Sequence, residues 1–246
     1  NATESIGAIQ VVRYLADGTA DADGIQQRTA GNAYLPAVAM MPTGYIVSYG
    51  AYSPVRRITA EWYDLSTHTF FEQLVSQLPA NVPPTVSEPL HKFEAVRVAT
   101  DASGNAVFAW RNEIYAGPTT DFYNYQILAR RFDAARNGSA EFRVDNFAHL
   151  PPGIIGSAPH PSYSGPTVAI ASDGTFTVAW RGTDSEQQMG VFARRYSSNG
   201  TPLAIGASND AYRVNATVPT LDLQGDLPQL ALLANNAFVV SWVPGS

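Results

Sequence analysis

Asp17, Asp21 and Asp23 stand within seven residues of one another and Gly24 follows them, a spacing at which carboxylates can wrap a calcium ion. A complete loop of this kind wants an acid at its first and last positions, where this register has Thr19 and Ala30, so a solvated hairpin turn competes with the metal. Twice a tryptophan is followed directly by an arginine, at Trp110-Arg111 and Trp180-Arg181. A guanidinium beside an aromatic face can hold a carboxylate or stack on a sugar. These four residues, with Trp62, are therefore the expected ligand-binding set. Arg13, Arg131 and Arg195 each precede an aromatic residue, and such a repeated arginine is expected to reach an acid or a backbone carbonyl of a neighbouring segment. Glu61 and Asp64 bracket Trp62-Tyr63, two carboxylates of the type glycoside hydrolysis uses when their separation suits it. His68, His91, His149 and His160 lack metal-ligand spacing. No G-x-S-x-G, HExxH, P-loop or dinucleotide fingerprint occurs, and no catalytic residue is assigned.

The elements that must carry these residues are read from four apolar runs, each ending in an aromatic: Gly44 to Tyr49, Asn105 to Trp110, Thr175 to Trp180 and Asn236 to Trp242. Their aromatic ends are 61, 70 and 62 residues apart, so one supersecondary unit is repeated along the whole chain. An extended segment precedes each run (from Pro36, Glu94, Pro166 and Pro228), joined to it by MPTG, DASG, SDG or ANN, which read as hairpin turns. A third run follows at Ile58, Ile127 and Gly190, and a fourth at Phe70, Ala140 and Ala211. The unit is a four-stranded antiparallel meander. After Trp242 two strands of the last unit are missing, while Ala8 to Thr19 at the other end aligns with Gly190 to Thr201. A unit divided between the termini is what a closed ring requires. The expectation is an all-β, four-bladed β-propeller, one domain over 1–246 with units 33–80, 90–147, 165–217 and 227–246 plus 6–32, its ring closed by N-terminal strands completing the C-terminal blade. On the aromatic-ended strands large side chains alternate with smaller ones, so the large face of one blade can nest on the small face of another. The loops Pro79 to Pro89 and Leu150 to Pro166 fall on one rim, where a propeller carries specificity.

Composition sets further bounds. The chain has 246 residues, 45% hydrophobic, with a net charge of −6 and no cysteine. A substantial core is affordable, no apolar stretch approaches a membrane span, and disulfides and thiol chemistry are excluded. The acidic balance, without a basic stripe, argues against nucleic acid as a partner. Asn-x-Ser/Thr sequons stand at Asn1, Asn137, Asn199 and Asn215. A start at Asn1 without methionine reads as a processed product, which points to a secreted, cell-surface or periplasmic protein.

The pattern P-x-VA, a small-residue turn, a run ending VAW, then ARR[FY] resembles the repeats of secreted and cell-surface bacterial proteins that form β-propellers. That resemblance implies an extracellular binding or scaffolding module with no single reaction. The turn Ser172 to Gly174 is also similar to the Asp-box of sialidase-like propellers, although its Ser–Asp spacing and the other turns depart from that box. The tyrosine nucleophile, glutamate partner and arginine triad of sialidase chemistry find no assignment in the sequence. The expected function is a non-catalytic interaction or scaffolding module that binds a protein partner through its rim loops and is not an enzyme. One alternative is a carbohydrate-binding, lectin-like propeller with a glycan as ligand; a second is a glycoside-active hydrolase or lyase. Unequal polar sets in the repeats count against the lectin, because a multivalent lectin keeps one set in every blade.

Overall fold

Period-two apolar patterning between capped turns folds the chain into antiparallel sheets, and among the described residues there is no helix. The computed structural model describes residues 7–28, 33–51, 57–77, 91–115, 123–145, 165–183, 189–204, 211–215, 227–233 and 235–243. An N-terminal hairpin pairs β1 (Gln10–Tyr14) with β2 (Ala20–Gln27). The first blade is β3 (Ala33–Met41), β4 (Gly44–Ala51), β5 (Arg57–Asp64) and β6 (Thr69–Leu74). The second is β7 (His91–Thr100), β8 (Ala106–Tyr115), β9 (Tyr123–Phe132) and β10 (Phe142–Arg143). In the third, β11 (Thr167–Ile170), β12 (Phe176–Thr183) and β13 (Met189–Tyr196) are followed by β14 (Pro202–Leu203) and β15 (Tyr212–Arg213), two short pieces that both pair with β13. The last sheet holds only β16 (Gln229–Leu232) and β17 (Phe238–Ser241). The loop Pro79 to Pro89, and Leu150 to Pro166 up to its last two residues, lie outside the described residues.

The sheets stack large face on small face. Phe108 and Trp110 of β8 pack on Ile58, Ala60 and Trp62 of β5. Phe176, Val178 and Trp180 of β12 pack in turn on Val107, Ala109, Ile127 and Ala129 of the second blade. Both faces of a blade are thereby buried, and β4 is buried along all but its last residue. The alternation read from the sequence thus places each large face on the preceding blade. Arginines one residue earlier than those expected staple the same seams. Arg130 Nη1 donates to the Leu74 and Val75 carbonyls of the first blade at 3.1 and 3.0 Å, and Arg194 Nη1 donates to the Val144 carbonyl of the second at 3.0 Å.

A second repeated device closes the outer edge of each blade. The second residue after the last strand turns its side chain back to a third-strand N–H: Ser76 Oγ accepts from Ile58, Asp145 Oδ1 from Ile127 and Asn215 Oδ1 from Val191, at 2.8, 3.0 and 2.8 Å. Three residue types fill one slot because the slot needs only an oxygen acceptor. At the opposite end, three-residue hairpin loops place a residue in the left-handed region, Gly104 and Gly174 among them at φ 87° and 80°.

A two-stranded sheet stands toward each end of the chain. The pair β16–β17 lies beside β11, and β1–β2 covers the first blade, where Ile9 is buried against Tyr45, Val47, Tyr49 and Tyr63. Among the described residues β17 pairs only with β16, and no sheet is closed. Trp242 accordingly keeps 37% of its surface exposed while Trp110 and Trp180 keep none. No helix among the described residues is long and apolar enough to cross a membrane.

Candidate functional site

Tyr49 lies two residues before the end of β4 and Glu61 mid-way along β5, two strands in register with Val47 opposite Glu61. Alternation puts both side chains on the face that meets the N-terminal hairpin. There the Tyr49 hydroxyl donates to Glu61 Oε1 at 2.8 Å, and Arg28 Nε donates to Glu61 Oε2 at 2.6 Å. The Arg28 guanidinium also lies over the Phe70 ring, 3.4 Å from its centroid. Tyr49 and Glu61 are both buried. Burial, reinforced by the hydrogen bond to Glu61 and its charge, pushes the Tyr49 phenol well above its ordinary value. The phenol is therefore neutral at any working pH and donates its hydrogen bond to Glu61.

Glu61 is the anomaly of the repeat. Its equivalents on the third strands of the next two blades are Arg130 and Arg194, since Ile58, Ile127 and Val191 align. The second and third blades send an arginine back to the preceding blade; the first sends a carboxylate, and the arginine comes from the other side. Sequence reasoning singled out Glu61 but joined it to Asp64. Asp64 instead accepts from Ser66 and Thr67 in an exposed turn beyond β5, facing away from Glu61 by an odd number of residues. The signal for Tyr49 was there in the aligned anchors, where one tyrosine replaces tryptophan.

The other expected residues are dispersed. Trp110 and Trp180 are fully buried between blades, and Trp62 packs on Phe108 and Phe132 at 5.7 and 5.4 Å between ring centroids. Arg181 is buried and Arg111 half-buried, one on each of two different blades. Asp17 Oδ1 accepts from the Thr19 N–H and hydroxyl at 2.9 and 2.6 Å, which holds its carboxyl below the usual range, and Asp21 pairs with Arg13. The Asp23 side chain lies outside the described residues. Among the described residues no three of His, Cys, Asp and Glu are grouped as a metal site. His68 accepts or donates at Tyr63 across 3.1 Å, while His149 and His160 lie outside the described residues. Of the sequons, Asn215 is buried with its side chain bound to Val191.

No protein-family model matches the sequence, and no curated protein does. The fold is similar to that of Trypanosoma rangeli sialidase in complex with 2,3-difluorosialic acid (covalent intermediate), with a TM-score of 0.50 at 8% identity over 95% of this chain and 36% of that one. The Hadza microbial sialidase Hz136 matches with a TM-score of 0.49 at 12% identity over 70% of this chain and 38% of that one. The chain thus spans less than half the length of these sialidases. The likeness shows an all-β, propeller-type fold. It also overturns the expectation of a non-catalytic interaction module that is not an enzyme, because the solved structures that share the fold are enzymes. The first blade departs from the other two at Glu61, where they carry Arg130 and Arg194.

Proposed function

We propose that this chain is a glycoside-active hydrolase, with Tyr49 and Glu61 as its reacting pair. The observation that supports it is the 2.8 Å hydrogen bond from a buried phenol to a buried carboxylate that is itself ion-paired to Arg28. A phenol within hydrogen-bond reach of a base is an activated nucleophile of the general kind. In the first step the Tyr49 oxygen attacks the anomeric carbon, its proton passes to Glu61, and the bond to the leaving oxygen breaks. In the second, water replaces the tyrosyl oxygen, the released phenolate recovers its proton from Glu61, and the proton lost by the water neutralises the departed leaving oxygen, so both side chains return to their starting states. Arg28 is ion-paired to Glu61 and fixes its carboxyl group beside the phenol. The T. rangeli sialidase is described as a covalent intermediate, the class of species this pair would form. A panel of aryl glycosides that includes sialosides tests the reading. Turnover by the wild type that falls at least about a hundredfold in Tyr49→Phe and Glu61→Gln supports it; no turnover on any member, or full turnover in Tyr49→Phe, overturns it.

We infer further that the four units form a closed ring in which β17 pairs with β1. Three aligned positions support this. Ile9 lies against the large face of the first blade as Ile58 does against the second and Ile127 against the third. Arg28 stands where Val75 and Val144 stand in the next blades, the residues whose carbonyls accept from Arg130 and Arg194. The inner pair β16–β17 meanwhile stacks on the third blade. The fourth blade is then assembled from both halves, in the register Val240 opposite Val12 and Phe238 opposite Tyr14 that copies Val178 opposite Arg194 and Phe176 opposite Tyr196.

A further inference from the structure

Trp62, Arg131 and Arg195 are equivalent positions near the outer end of successive third strands. At the seam between the first and second blades Trp62 fills the wedge, packed on Phe108 and Phe132. At the next seam the slot holds Arg131, and a cleft of about 350 Å³ opens there, lined by Asp101, Asn105, Arg131, Ser172, Asp173 and Ser198 among others. It sits at the turn end of the blades, away from Tyr49, which stands near the end of β4 where the chain leaves for β5.

The chemistry of the walls is specific. Arg131 is half-buried, and burial alone draws its guanidinium below the usual arginine value, with no carboxylate acting against it. The two aspartates beside it are committed to their own loops. Asp101 accepts from the Ser103 and Asn105 N–H groups at 2.9 Å each and from Asn105 Nδ2 at 2.7 Å. Asp173 accepts from Thr175 N–H and hydroxyl at 2.9 and 2.7 Å and from Asn236 Nδ2, across the next seam, at 2.7 Å. Gly174 lets the walls approach, since a Cβ there would stand 2.8 Å from the Ser198 Cβ. Arg131 is thus a partly desolvated cation on a rigid frame, facing oxygen acceptors whose second lone pairs remain for hydroxyl donors.

We propose that the wedge between the second and third blades binds an acidic monosaccharide, a single carboxylate carried on a polyhydroxylated ring. One guanidinium matches one carboxylate through its two-pronged geometry. The flanking aspartates disfavour a dianion such as phosphate and accept from ring hydroxyls instead. The volume lies in the range of small-ligand pockets and suits one sugar rather than a chain. This binding is independent of whether the chain hydrolyses glycosides, because it is read by titration alone.

Calorimetric titration with glucuronate, glucose and acetate tests it. The expected result is saturable glucuronate binding, with glucose and acetate each at least about tenfold weaker. Arg131→Trp, which copies the filled wedge of the first seam, is expected to abolish binding, and Arg131→Gln, which removes the charge without filling the space, to weaken it by at least about tenfold. Glucuronate binding unchanged in the glutamine variant, no saturation in the wild type, or acetate or glucose equal to glucuronate overturns the proposal.

Discussion

Arg130, Arg194 and Glu61 occupy one position of the repeat and do one mechanical job with opposite charges. Each arginine finds a fixed backbone carbonyl on the preceding blade; Glu61 finds the Arg28 guanidinium. Removing the acid leaves Arg28 over Phe70 without its counter-charge. Because the Arg28 side chain still has 25% of its surface in water, the cost is set well below that of a fully buried broken pair. Glu61→Ala is expected to lose about 1–3 kcal/mol in urea unfolding, and a smaller loss in Tyr49→Phe marks the ion pair as the larger part of the seam. Asp145 makes a second residue-level case. Burial raises its carboxyl above the ordinary range despite Arg143 beside it, so the folded chain holds that proton more tightly than the unfolded one. Its contribution is most favourable below the unfolded value of about 3.9 and is lost as pH rises through the raised folded value. Asparagine, which serves at the equivalent Asn215, removes this dependence. Between about pH 4 and pH 7 the stability of the wild type relative to Asp145→Asn is expected to fall; unfolding curves that stay parallel would remove the titration from the account.

At the scale of the strand, the anchor aromatics differ in what they cover rather than in type. Trp110 and Trp180 lie within strands whose two faces are both packed, and truncating either to alanine is expected to cost about 3–5 kcal/mol. Trp242 follows β17 directly, whose outer edge has no partner among the described strands, and its alanine variant should cost less than half as much. Denaturant midpoints at constant slope give the comparison directly. The turns behave as elements too. Asp17, Asp173 and Asn199 each stand before a left-handed glycine and cap the N–H of a threonine two residues on, at 2.9, 2.9 and 3.0 Å. Asp17, one of the three aspartates expected around calcium, makes the same capped turn as Asp173 and Asn199.

Over the whole molecule the open question of the ring reduces to one strand pair. Cysteines at Val12 and Val240 would face each other directly in the copied register, within the span a disulfide bridges. Mild oxidation of the double variant is expected to give an intramolecular bond in the monomer and about 2–4 kcal/mol of added stability, depending on strain. Cross-linked dimers, or free thiols after oxidation, would show that the β17 and β1 edges do not meet within one chain. Closure also removes an exposed strand edge bearing Val239 and Val243, each more than half exposed.

Much of this was legible in the residues because it is local. Alternation along a strand, a turn that needs a left-handed residue, and a unit copied four times are written within about 61 residues at a stretch. These were enough for the strands, their order within each blade and the large-on-small packing of Phe108 and Trp110. The chemistry was not legible because its partners are separated by the fold. Glu61 meets Arg28 over 33 residues of chain, and Arg131 faces Asp173 across a seam between blades. A linear pattern names neighbours at fixed spacing, so it joined Glu61 to Asp64 and Asp17 to Asp21. Stacking of whole sheets decides which side chains face one another, and it alone brought Tyr49, Glu61 and Arg28 together and left the wedge beside Arg131 open.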